Sequence, residues 1–203
     1  MATAALGCPA ERESMRVIAG KYRSRQLQSL PGLDLRPTAD RLRETLFNVF
    51  TAGNPTALEG TVWLDLYAGT GAVGIEAISR GASMVYFVES AARAAALIKQ
   101  NLTSLGIATG FQIRKQDSIR ALRELESGGA VADFVFLDPP YEMEDAYSKA
   151  LSALAPSPLL KTETIVIAEH PKRFDPGEKF SSLHRYRKLV QGDAALSFYR
   201  KAR

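Results

Sequence analysis

The feature that most restricts this chain is a rhythm. From Val62 onward, short apolar runs alternate with longer segments whose apolar residues recur every three or four positions. Val62–Tyr67, Met84–Val88, Phe111–Arg114, Phe134–Leu137 and Thr164–Ala168 read as strands. The segments 72–80, Ala91–Leu105, Ser118–Glu126 and Glu144–Ala155 read as helices. Tyr186–Val190 and Ala195–Tyr199, joined by Gln191-Gly192-Asp193, read as a hairpin. Strand and helix in strict alternation call for an α/β fold, a doubly wound and mostly parallel sheet with helices on both faces. Such sheets bind ligands at the carboxyl ends of their strands, so the chemistry is expected just after each strand.

The segment before this rhythm differs in charge. Residues 15–43 hold seven basic side chains, Arg16, Lys21, Arg23, Arg25, Arg36, Arg41 and Arg43, against Asp34 and Asp40. That stretch carries +5, residues 1–14 carry −1, and the remainder sums to zero. A basic arm on a neutral body suits a polyanionic partner, although a solvated charged segment has the same composition. Pro31-Gly32 marks a turn, and Pro37-Thr38 opens a helix on which Leu42, Leu46, Val49 and Phe50 recur at helical spacing. Thr38 is placed to cap it, and Asp40 sits in the first turn, where the helix dipole favours an acid. The expected organisation is a disordered leader at 1–14, a basic extension at 15–55 and a catalytic domain at 56–203.

With 203 residues, 46% hydrophobic, the chain can bury a core of its own. No run approaches the roughly eighteen apolar residues of a membrane helix. Cys8 is the single cysteine, so no internal disulfide can form, which fits a reducing cytoplasm.

Two segments carry chemistry. In Val62-Trp-Leu-Asp-Leu-Tyr-Ala-Gly-Thr-Gly-Ala-Val-Gly74 a strand runs into a glycine-rich turn and then a helix. Gly69 and Gly71 permit a sharp turn and close approach to a ligand. Glu89 ends the next strand, at a spacing that suits an acid receiving ribose hydroxyls. A dehydrogenase shares these parts, but Asp65 precedes the glycines, and a carboxylate there repels a pyrophosphate and suits a cation. S-adenosylmethionine carries that cation and no phosphate. Asp117 follows the third strand, where it can reach an adenine amine or cap the Ser118 helix.

The second segment is Phe134-Val-Phe-Leu-Asp-Pro-Pro-Tyr141. Pro139 biases Asp138 toward extended backbone, and neither proline donates a hydrogen bond. Asp138 and a backbone carbonyl can therefore accept from the two N–H bonds of an exocyclic amine, with the base stacked on Tyr141. Orienting that nitrogen toward a methyl donor is most of the catalysis, and Asp138 can take its proton.

Asp-Pro-Pro-Tyr with a glycine-rich loop resembles the class I amino-methyltransferases. Met15-Arg-Val-Ile-Ala-Gly-Lys-Tyr-Arg-Ser-Arg, Arg36-Pro-Thr-Ala-Asp-Arg-Leu-Arg-Glu-Thr-Leu-Phe-Asn, Asp65-Leu-Tyr-Ala-Gly-Thr-Gly-Ala-Val-Gly-Ile-Glu-Ala and Ser79-Arg-Gly-Ala resemble the RsmD family of bacterial small-subunit rRNA guanine-N2 methyltransferases. The resemblance runs from Met15 to the C-terminus. It implies a seven-stranded sheet, S-adenosylmethionine as donor and a guanine amine of 16S rRNA as acceptor, within a small ribosomal subunit or an assembly intermediate, with a monomeric enzyme and no metal. Carried onto this chain, Asp138, Pro139, Pro140 and Tyr141 form the acceptor site. Asp65, Tyr67, Ala68, Gly69, Thr70, Gly71, Glu89, Asp117 and Ser118 hold the donor. The seven basic residues of the arm meet RNA phosphates, and the Gly192 turn lies near the substrate.

Other readings lack parts. Cys8 lies in the leader, away from any site for a carbon-methylating thiol. His170 and His184 have no metal-ligand spacing, and His170 reads as an ordinary surface histidine. A DNA adenine-N6 methyltransferase uses the same tetrapeptide but needs a target-recognition domain that is not evident here. A protein glutamine methyltransferase, or an RNA-binding module with an idle cofactor site, stands further back.

Overall fold

The computed structural model describes residues 15–29 and 37–202. The leader with Cys8, the Pro31-Gly32 turn, Arg36 and the side chain of Thr38 lie outside the described residues. Elements follow in the order α1 (Pro37–Thr51), β1 (Val62–Leu66), α2 (Ala72–Ser79), β2 (Met84–Val88), α3 (Ala92–Ser104), β3 (Phe111–Arg114), α4 (Ser118–Ser127), β4 (Ala132–Leu137), α5 (Glu144–Leu154), β5 (Leu160–Pro171), β6 (Lys179–Phe180), β7 (Leu183–Gln191) and β8 (Ala194–Lys201). They build one sheet in the order β3-β2-β1-β4-β5-β8-β7-β6. The first five strands are parallel, and β8, β7 and β6 join antiparallel. Among the described residues the sheet therefore has eight strands where seven are implied. The addition, β6, is two residues long and pairs only Lys179 with His184 and Phe180 with Leu183, too short for a periodic signal.

β5 also exceeds its expected span, Thr164–Ala168. Its start, Lys161 to Glu163, is polar and exposed, and the β4–β5 register shifts between Ala132 and Phe134. An irregular, solvated strand start hides from hydrophobic patterning, and only the neighbouring backbone makes it a strand.

Side chains alternate across a strand, so each strand feeds two cores. Trp63, Val85, Phe87, Phe134, Phe136 and Ile167 face one layer with α1, α2 and α3. Leu64, Leu66, Val135, Leu137, Val166 and Ala168 face the other with α4 and α5. In the first layer Trp63 lies between Phe47 of α1, at 5.2 Å between ring centroids, and Phe134, at 4.5 Å.

Residues 15–29 pack into that same layer through buried Val17 and Leu27. Glu76, fully buried on α2, accepts hydrogen bonds from Ile18 N at 2.8 Å and Ala19 N at 3.0 Å, and from Arg80 Nε at 2.7 Å. Asn101 on α3 accepts from Gln28 N at 2.8 Å and donates to Gln28 O and Thr70 O, each at 3.1 Å. At Gly20 a Cβ would come within 1.9 Å of Ser79 O, so only glycine lets the arm approach α2 this closely.

The aromatic stack joining α1 to the sheet sets a stability prediction. Phe47→Ala and Trp63→Ala are each expected to cost about 3–5 kcal/mol, read from the shift in denaturant midpoint. A loss below about 1 kcal/mol would show that α1 is not anchored by this stack.

Candidate active site

The chain runs from β1 outward to β3 and then returns to place β4 on the other side of β1. This reversal opens a crevice at the carboxyl ends of β1 and β4, where doubly wound folds bind ligands. Both sequence motifs fall there. Leu66 and Leu137 are paired across the two strands, and Asp138 N donates to Leu66 O at 3.4 Å.

The glycine turn is built by backbone constraints. Tyr67 adopts a left-handed φ of 63°, a conformation that costs a non-glycine residue free energy and gathers at functional sites. Gly71 opens α2 at φ 79°, with Ile98 only 3.2 Å from where a Cβ would stand. Ala68 N donates to Val88 O and Gly71 N to Ala68 O, closing the turn. Ala68, Thr70 and Gly71 are buried, and Gly69 and Tyr67 are half-buried.

The acids around the turn already have partners. Asp65, only 1% exposed, accepts from Gly74 N at 3.0 Å and so holds the start of α2. Glu89 accepts from Gly69 N at 2.9 Å and Ala91 N at 2.8 Å, tying β2 to the turn. Asp117 caps α4, accepting from Ile119 N at 2.9 Å and Arg120 N at 3.3 Å, which is the capping alternative weighed for it. Ser118 is buried and bonded to Tyr67 Oη at 2.8 Å, so two expected donor-site residues from distant strands meet.

On β4, Phe134 and Phe136 face the α1 layer, and alternation puts Asp138 on that side as well. Pro139 is buried, whereas Pro140 is exposed and Tyr141 is 43% exposed. Met143 N donates to Pro140 O at 2.8 Å, folding the loop back over the strand end. The β7–β8 turn lies at this same end, since Ala194 pairs with Pro171 and Lys172 N donates to Asp193 O.

Arg43 departs from its expected role. It is 6% exposed and donates to Arg16 O at 2.6 Å and Asp40 Oδ1 at 2.9 Å, so it is not presented to an outside phosphate. Its position on α1, between Leu42 and Leu46, turns it inward with them. Arg16, Lys21, Arg23, Arg25 and Arg41 are exposed. His170 is also corrected, since it is fully buried, not on the surface. Its Nδ1 lies 3.0 Å from Pro171 O, which can only accept, so Nε2 accepts from Ser197 Oγ at 2.9 Å. His184 is half-buried on β7.

Glu169 lies beside Asp138 and outside both motifs. Ala168 pairs with Leu137, so Glu169 follows in line with Asp138 one strand further along. Ile165 and Ile167 face the α1 layer, so alternation directs Glu169 there too. An acid one residue past a strand was visible in the sequence, but its row was not. Glu76 and Asn101 were missed for a similar reason, because their partners are backbone groups of a distant segment.

Burial dominates the electrostatics. It pushes the carboxyl groups of both Asp65 and Asp138 up to about 7, and also raises Glu169 well above the ordinary carboxylate range, with Asp138 as a like-charged neighbour adding to the effect. The Gly74 N–H opposes the shift at Asp65, and the Arg43 guanidinium opposes it at Glu169. The set fits the expected donor, because acids ring the glycine turn and its cationic portion would relieve their repulsion. Among the described residues, no group of three or more acids, histidines or cysteines could hold a metal ion, and no helix is long and apolar enough to cross a membrane.

These shifts predict a pH profile. The folded state keeps a proton on Asp65 up to about pH 7, whereas the ordinary carboxyl loses it near 3.8. Stability should therefore fall as pH rises between those values and level off above, by at most about 1.4 kcal/mol per pH unit for one proton. Asp65→Asn keeps an acceptor for Gly74 and removes the titration, so its denaturation midpoint should be flatter over this range and higher than wild type at pH 8. Parallel profiles would mean that Asp65 is ionised throughout.

Residues 15–200 match the family model described as "Conserved hypothetical protein 95". YlbH of Bacillus subtilis, a proposed rRNA methyltransferase, is 32% identical over 92% of this chain and 99% of its own. Ribosomal RNA small subunit methyltransferase D of Haemophilus influenzae is 34% identical over 81% of this chain and 82% of its own. The structure of YhhF of Escherichia coli, a proposed methyltransferase, superposes with a TM-score of 0.76 at 28% identity, covering 93% of this chain and 98% of that one. With the glycine turn and the Asp-Pro-Pro-Tyr loop at one crevice, the chain belongs to the Conserved hypothetical protein 95 family and is an RsmD-like class I methyltransferase.

Proposed function

We propose that this protein methylates the N2 amine of a guanine in small-subunit rRNA, using S-adenosylmethionine. The observation that carries the reading is the adjacency of Asp138 to the glycine turn, across the paired ends of β1 and β4. The relatives named as small-subunit rRNA methyltransferases support the substrate class.

Bound at the turn, S-adenosylmethionine supplies an electrophilic methyl group. Tyr67 to Gly71 would hold it, with Asp65 facing its cationic portion, Glu89 accepting from its ribose hydroxyls, and Asp117 and Ser118 at its base. A guanine flipped from its stack rests on exposed Tyr141. Asp138 and a proline-loop carbonyl accept the two N–H bonds of N2, which aims the nitrogen lone pair at the methyl carbon. As the new C–N bond forms and the old C–S bond breaks, the nitrogen becomes acidic. Asp138 receives the proton, and its raised affinity for protons suits that step. Arg16, Lys21, Arg23, Arg25 and Arg41 meet phosphates, while Arg43 remains inside.

The test is transfer of tritiated methyl to small-subunit particles, bulk rRNA and genomic DNA from cells lacking the gene, with the labelled nucleosides separated. Label is expected in N2-methylguanosine, with Asp138→Ala reducing it by about 100-fold or more while cofactor binding persists. Label in N6-methyladenine from DNA would replace this reading with the adenine one. Replacing Arg23 and Arg25 together by alanine should lower the slope of log affinity against log salt by about 2, because each cation releases about one counterion from RNA. An unchanged slope would remove these residues from the interface.

A further inference from the structure

We propose that Glu169 reads the Watson–Crick edge of the acceptor base and restricts the site to guanine. The inference rests on the guanine reading above and names the group that enforces it.

Three acids stand on one face of the sheet, at the carboxyl ends of three adjacent strands: Asp65 on β1, Asp138 after β4 and Glu169 on β5. The donor belongs to β1 and the reacting amine to Asp138. Strands lie about 4.8 Å apart, so Glu169 is one spacing beyond the amine, on the side away from the donor. Guanine places its N1–H beside the N2 amine on a single edge. A base whose N2 meets Asp138 therefore turns N1–H toward Glu169. A carboxylate accepts N1–H, and its second oxygen can share the outer N2–H. Adenine, or any purine with a bare N1, would instead aim a lone pair at the carboxylate.

The surroundings hold this acid in place, and an arriving N–H donor favours its charged form against the burial that disfavours it. Tyr147 Oη donates to the backbone carbonyl of Glu169 at 2.8 Å from the opposite layer. Leu196 of β8 pairs with Glu169 and closes its outer flank. Arg43 faces it from α1 and favours the anion, while burial and Asp138 oppose ionisation. Among the described residues, Arg43 Nε is buried without a hydrogen-bond partner. An incoming N1–H donor would strengthen the anion that Arg43 already supports.

The experiment uses small-subunit particles reconstituted with 16S rRNA that carries either guanine or 2-aminopurine at the labelled position. The analogue keeps the 2-amino group and has a bare N1. Wild type should prefer guanine in kcat/KM by about 10- to 100-fold. Glu169→Gln can accept from N1–H or donate to a bare N1, so its preference should shrink to about threefold or less, with cofactor affinity unchanged by calorimetry. Glu169→Asp, shorter but still anionic, should lose rate on guanine and keep rejecting the analogue. The inference is overturned if wild type accepts both bases equally, if Glu169→Gln keeps the full preference, or if it loses both bases in proportion. Absence of label from guanine with wild type would sink the guanine reading itself, before any variant is compared.

Discussion

The parallel pairing of β1 with β4 is the constraint on which the rest of the molecule depends. The two strands are far apart in sequence, and the chain must build β2 and β3 on one side before returning to the other. Once Leu66 and Leu137 are in register, the glycine turn and the Asp-Pro-Pro-Tyr loop leave the sheet side by side. A one-residue slip would send Asp138 to the opposite face, away from the turn. Trp63, held between Phe47 and Phe134, opposes such a slip because it fills the layer on one face only.

That arrangement gathers buried Asp65 with half-buried Asp138 and Glu169 on one face of the sheet, where loss of hydration makes each carboxylate costlier to ionise. The fold offsets the cost with directed groups. Gly74 N–H meets Asp65, and the Arg43 guanidinium on α1 favours the charged form of Glu169. The same burial lowers the proton affinity of the Arg43 guanidinium, with Asp40, Glu76 and Glu169 opposing that effect. Cation and acids stabilise one another, so α1 belongs to the electrostatics of the site as much as to the core. Buried acids with raised proton affinity are suited to exchanging a proton with a bound substrate.

The basic arm is bound to this machinery through few but specific contacts. Glu76 holds two of its backbone N–H groups, and Asn101 joins Gln28 to the carbonyl of Thr70 in the glycine turn. Thr70 Oγ1 also reaches Met15 Sδ at 3.4 Å. The exposed arginines of this segment are thus mounted on a backbone that is coupled to the glycine turn.

The sequence by itself determined the doubly wound class, the order of its core elements and the two motifs, because period-two and period-3.6 patterns and glycine or proline turns are local properties. It also marked Asp65, Glu89 and Asp138 by their places at strand ends. It could not show that Arg43 turns inward, because charge alone does not say which face of α1 meets the sheet. Nor could it bury His170, whose partner Ser197 lies on an antiparallel strand twenty-seven positions away. The polar start of β5 and the two-residue β6 became strands only through their neighbours' backbones. Above all, the alignment of Asp138 with Glu169, on the sheet face that also carries Asp65, is a matter of register between strands distant in the chain. Register is decided by packing across the whole sheet, which is why only the tertiary structure brought Glu169 to the site.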